Sequence, residues 1–171
     1  MPDADLAALV ARACHDLRNP LAAAGGFART IERVDGVSDE ARPFLTHVIV
    51  ATAELDQLIV ALATLARAHE GPLRVAPSEQ RTGELAAAAA ALAVERLLDQ
   101  TGSVTVRVDA DGVVQIDRER GLLALADLAA CAVRAGHAAT VVASASGVAV
   151  EPAIESDDLR VLAARAVLAA T

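Results

Sequence analysis

The chain has 171 residues and a formal net charge of -8, which argues against nucleic acid or an anionic membrane surface as its main partner. Hydrophobic residues make up 54% of it, with alanine the commonest and only Phe27 and Phe44 aromatic, so a core has to close by tight helix packing rather than around large rings. Two isolated cysteines, Cys14 and Cys131, suggest a reducing compartment more than a disulfide framework.

The first residues, MPDADLAALVARACHD, place acids where a secretory signal needs a basic start. No uninterrupted apolar run reaches the ~18 residues of a membrane span. The longest, LAAAAAALAV, stops at Glu95 and Arg96. A soluble, cytoplasmic protein is expected. In the first segment Leu6, Val10, Ala13, Leu17, Pro20, Ala24, Phe27, Ile31 and Val34 alternate spacings of four and three, a heptad seam. Phe44, Val48, Ala51, Leu55, Leu58, Leu62 and Leu65 repeat the pattern, and Leu45, Ile49 and Ile59 widen it. Between the two lies DGVSDEARP, with Gly36 as a helix stop and Ser38 or Asp39 as the next cap. Two helices of about 27 to 30 residues, roughly 40 to 45 Å long at 1.5 Å per residue, are expected to form an antiparallel hairpin over residues 1–70. A lone hairpin leaves part of such wide stripes uncovered. Two hairpins face to face would cover the rest, so a homodimeric four-helix bundle is expected, the alternative being that the stripes pack on the C-terminal half of the same chain.

Within this helix the stretch CHDLRNPLAAAGGF carries the chemistry. With Leu6 set at zero and 100° per residue, Val10, Ala13, Leu17 and Ala24 fall within about 40° of it, and His15 falls at about 180°. His15 therefore points away from the seam, with Arg12 one turn before and Asn19 one turn after. Ala8, Ala11 and Ala22 around it are small enough for another protein to approach closely. Pro20 has no N–H, so the Asp16 carbonyl loses its helical partner one turn past His15.

Taken together, His15, Asp16, Leu17, Arg18, Asn19, Pro20 and Leu21 resemble the phosphoacceptor box of bacterial sensor histidine kinases. The resemblance implies a dimeric bundle with His15 as the phosphorylated residue. It also implies that Asp16 is a base or orienting group for the imidazole and that Asn19 positions water in a phosphatase reaction. Arg12, Arg18 and Ala22 are the expected contacts of a visiting response-regulator receiver domain.

Residues 71–171 read differently. GPLRVAPSEQ is a linker with a short strand near Leu73 to Ala76, followed by a helix over about Thr82 to Asp99 that Gly102 closes. SVTVRVD is a strand, DADG a turn and VVQID the returning strand. Asp117 caps a helix from Arg118 to Ala135 that Gly136 stops. AATVVASASGVAVEP is a hairpin turning near Ser146 and Gly147, and Ser156 caps a last helix with Asp157 and Asp158 in its first turn. The expected class is α+β, a helical hairpin followed by a small two-layer α/β sandwich. This second half resembles a degenerate histidine kinase ATPase domain. That family uses asparagines on the helix to hold magnesium and nucleotide, yet Asn19 is the only asparagine in the chain, and the matching places carry Asp127 and Cys131. No G-x-G occurs. Magnesium prefers oxygen ligands, and a neutral thiol is a poor one.

An acceptor without a donor resembles the bacterial histidine phosphotransferases, which pass a phosphoryl group between receiver aspartates. No cofactor is expected on this chain, and magnesium is expected on the partner receiver domain. Two other readings stand beside this one: a kinase-like remnant that dephosphorylates a receiver, and a dimeric adaptor that binds one without chemistry.

Overall fold

The computed structural model describes residues 3–34, 36–97, 102–154 and 156–170. The chain divides into two compact units, Met1–Glu70 and Gly71–Thr171. The first is a helical hairpin, and the second mixes helices with two small sheets, so the class is α+β.

Helix α1 spans Asp3–Glu32 and runs through Pro20 without interruption, and α2 spans Arg42–Glu70. The helices are antiparallel: Gly25 lies against Thr52, Arg18 reaches Asp56, and Leu6, Ala7 and Val10 share a groove with Leu62, Ala66 and His69. α1 ends four residues before Gly36, its last carbonyls taken by a tightened turn in which Arg33 and Val34 donate to Thr30 and Ile31. Ser38 supplies the cap before α2, its hydroxyl accepting from Ala41 N–H at 3.2 Å.

The face α1 turns to α2 is not the heptad seam. Ala7, Cys14, Gly25 and Ala28 are buried, whereas Leu6, Leu17, Phe27 and Ile31 are exposed, Phe27 to 70%. The buried set sits roughly 80° around the helix from the seam at 100° per residue. The reason is steric. A Cβ on Gly25 would stand 2.9 Å from Thr52 Oγ1, so the small residues let the two helices meet closely, and the large ones are left outward. On α2 likewise, Phe44, Val48, Leu55 and Leu62 are exposed. Although no uninterrupted apolar run is long enough, α2 as a whole is long and apolar enough to cross a membrane by length and composition.

In the second unit, the expected strand at Leu73 to Ala76 is absent. Leu73 instead packs into a cluster with Ala124, Ala164 and Val167, and Ala76 N–H donates to Asp117. The strand falls later, β1 at Ser78–Arg81, running directly into α3, Thr82–Leu97. The expected end of α3, to Asp99, lies outside the described residues. Then come β2 (Val104–Val108), β3 (Val113–Ile116), α4 (Arg118–Arg134), β4 (Ala139–Ser144), β5 (Gly147–Glu151) and α5 (Leu159–Ala170).

The hairpin expected from SVTVRVD and VVQID does not form. β3 pairs antiparallel with β1, and β2 pairs parallel with β4, which pairs antiparallel with β5. Asp111 diverts the chain: its carboxylate accepts from Gly83 N–H at 3.1 Å and pairs with Arg81, drawing the turn toward β1. Gly112 then exchanges hydrogen bonds with Thr82. The β4–β5 hairpin forms as expected. α3 and α4 cover the three-stranded sheet, and the core is built from Leu85, Ala89, Leu125, Ala129, Val141 and their neighbours. α5 packs on α4 through Ala164 and Val167.

The caps of α4 follow the sequence. Asp117 accepts from Arg120 N–H at 3.1 Å. At the other end Gly136 takes φ +87°, and His137 and Gly136 donate back to Ala132 and Val133, closing the helix in a Schellman turn. At α5, the cap is Asp158 rather than Ser156. Asp158 accepts from Arg160 N–H at 2.8 Å, while the Ser156 hydroxyl holds the Asp158 N–H.

Candidate functional site

The middle of α1 carries the candidate residues. His15 and Asp16 are open to solvent, with side-chain exposures of 75% and 67%, and His15 Nδ1 lies 3.3 Å from Asp16 Oδ1. With the proton on Nδ1 donated to the carboxylate, the lone pair is on Nε2. A neutral imidazole held in that tautomer is a nucleophile. Cys14, one residue before, is buried in the hairpin. One residue of rotation thus separates a packing side chain from an outward one.

Arg12, Asn19 and Ala22 are exposed, on the turns either side of His15. Arg18 is half-buried and crosses the hairpin. Its Nε donates to Asp56 Oδ1 of α2 at 3.3 Å, between residues 38 apart in the chain. This pair crosses the hairpin, and periodicity pointed to neither partner. A signal for Asp56 was present: between Phe44 and Ala66, Glu54 and Asp56 are the only acidic side chains in a largely apolar helix. Pro20 leaves the turn beyond His15 one backbone bond short, and the Arg18–Asp56 pair joins that same turn to α2.

The second unit places Asp127 and Cys131 on α4. Asp127 is nearly buried and paired with Arg96 of α3 at 2.5 Å, with side-chain exposures of 15% and 16%. Burial pushes the Asp127 carboxyl above its ordinary range, and the Arg96 charge opposes that without reversing it. The Cys131 thiol is raised as well, chiefly by burial. Cys131 borders a cavity of about 440 Å³ that Arg134, His137, Ile154, Ser156 and Asp158 also line. Asp158, also paired with Arg160 at 3.1 Å, is held below the usual carboxylate range by that guanidinium. Among the described residues, no group of three or more His, Cys, Asp or Glu side chains could hold a metal ion.

Residues 5–71 match the His Kinase A (phospho-acceptor) domain family. The hairpin is therefore similar to the phosphoacceptor and dimerisation domain of histidine kinases, with His15 inside the matched span. Domains of this kind are generally dimeric and work with response regulators. The match points to a histidine phosphotransfer or kinase-type role in two-component signalling. It ends where the second unit begins. No curated protein matches the chain.

Proposed function

We propose that this protein is a homodimeric, cytoplasmic histidine phosphotransfer protein that relays a phosphoryl group between receiver-domain aspartates through His15, without binding ATP. The observation that carries the reading is an exposed imidazole whose Nδ1 faces a carboxylate at 3.3 Å, inside a span that matches a phosphoacceptor family. Nε2 attacks the phosphorus of the aspartyl phosphate. The N–P bond forms as the P–O bond breaks, and the electron pair leaves on the receiver's carboxylate. Asp16 retains the Nδ1 proton by hydrogen bonding throughout. The receiver brings its own magnesium, and Arg12, Arg18 and Ala22 border its approach to His15. Phosphoryl transfer depends on in-line placement and charge stabilisation more than on covalent machinery, and a rigid helix supplies the placement.

Three features favour the dimer and the lack of a nucleotide. The exposed Phe27, Ile31, Phe44 and Leu55 form apolar stripes of the kind a second hairpin covers. A second copy fits these stripes better than lipid does, because Glu54 and Asp56 interrupt α2 at mid-length. The Asp127 carboxylate of α4 is already paired with the Arg96 guanidinium of α3, which disfavours its use as a metal ligand. Asn19, exposed one turn after His15, favours a second reading in which the protein dephosphorylates a receiver.

The test is to mix the protein with phosphorylated receiver domains from its own genome. Acid-labile, base-stable label that His15→Ala abolishes is the expected result. No label with any of them would overturn the relay. Receiver dephosphorylation that survives His15→Ala and fails in Asn19→Ala would select the second reading. Calorimetry with ATP should show no binding in the micromolar range.

A further inference from the structure

The Arg18–Asp56 pair has a consequence for the phosphorylated state. Arg18 lies three residues after His15, and side chains at that spacing are neighbours on a helix surface. A guanidinium there can reach a phosphoryl group on the imidazole, and it suits phosphoryl oxygens geometrically. Asp56 stands on the other side of it. The pair is single-pronged, Nε to one carboxylate oxygen at 3.3 Å, and both side chains are about half exposed, so Arg18 is held without being locked. α2 carries no other cation between His47 and Arg67, and Arg12 and Arg18 are the only cations within one turn of His15 on α1.

We propose that Asp56 is a positioning residue: it holds the Arg18 guanidinium toward α2 and away from the phosphoryl group on His15, so that the group leaves readily. The inference rests on the phosphotransfer reading above. In the onward step the N–P bond breaks, its electron pair returns to Nε2, and a P–O bond forms to the receiver's aspartate. A phosphohistidine paired with Arg18 is a more stable reactant in that exchange. Without Asp56, Arg18 is released toward the new dianion and the balance moves to His15. Arg12 is unchanged in every comparison, so the effect isolates Arg18.

The experiment measures the equilibrium partition of phosphoryl between His15 and the receiver domain that labels it, with full-length protein. Asp56→Asn should raise the ratio of phosphohistidine to aspartyl phosphate by about two- to fivefold, the size of a solvent-exposed ion pair. Arg18→Gln combined with Asp56→Asn should return the ratio to that of the unmodified protein. The ratio is an equilibrium quantity, so a slower docking step does not move it, and it is read at protein concentrations where the two partners are mostly dissociated. An unchanged ratio in Asp56→Asn overturns the proposal. So does a raised ratio that persists in the double variant, since the cause is then not Arg18. Asp56→Ser serves in the same comparison if the asparagine variant folds poorly. Absence of label on the unmodified protein defeats the relay itself, whereas normal label with no Asp56 effect defeats only this inference.

Discussion

The single carboxylate of Asp117 ties two separate segments of the second unit together. One oxygen accepts from Arg120 N–H at 3.1 Å and caps α4, and the other accepts from Ala76 N–H at 3.0 Å and pins the segment before β1. The Ala76 and Arg120 amides hold its pKa below the ordinary carboxylate value. A depressed folded-state pKa means that the contribution is present above the unfolded value of ~3.9 and is lost as pH falls through the lower folded value. Asp117→Ala should therefore destabilise the second unit by about 1 kcal/mol at pH 6. The difference from the unmodified chain should close toward pH 2. Hydrogen exchange at the α4 amides, measured at both pH values, checks it. The cap was legible in the sequence, because an Asp before a helical pattern is a local signal. The Ala76 contact was not, because it joins residues 41 apart.

For the elements, the two adjacent glycines of α1 have different roles. A Cβ on Gly25 would meet Thr52 Oγ1 at 2.9 Å, and that hydroxyl is already tied to the Val48 and Ile49 carbonyls at 2.8 and 2.9 Å. A Cβ on Gly26 would meet nothing within 4 Å. Gly25→Val should therefore lower the thermal stability of the hairpin, by about 1–3 kcal/mol as overpacking does. Gly26→Ala should raise it by about 0.5–1 kcal/mol, the helix propensity difference. Circular dichroism melts of the two variants should move in opposite directions. The pattern GG by itself reads only as softness, since the sequence does not say which glycine faces the neighbouring helix. The same limit explains β2 and β3. Alternation marked both as strands, but Asp111 and Gly112 bind the start of α3 and send the second strand to β1. A Cβ on Gly112 would overlap the Ala145 carbonyl oxygen, so this turn is packed against the β4–β5 connection.

On the scale of the whole molecule, an uncovered apolar surface is the main feature of the first unit. Phe27 and Leu55 are 70% and 50% exposed. Near the end of the hairpin away from its loop, Leu6, Val10, Leu62 and Ala66 line a groove of about 180 Å³. If a second copy covers these stripes, Phe27→Glu with Leu55→Glu should convert a dimer to a monomer in sedimentation velocity while leaving the far-UV spectrum helical. A monomeric unmodified chain at tens of micromolar would remove the dimer from the proposed function.

The sequence by itself determined that two long helices form, that a cap at Ser38 or Asp39 opens the second, and that His15 stands on the face opposite the heptad seam. These are consequences of a fixed rotation per residue and of hydrogen bonds within a few positions. Tertiary structure alone decided that Ala7, Cys14, Gly25 and Ala28 meet α2, that β2 lies beside β4, and that Arg18 reaches Asp56. Each of those depends on which surfaces approach most closely in space, and that is settled by the shapes of residues far apart in the chain.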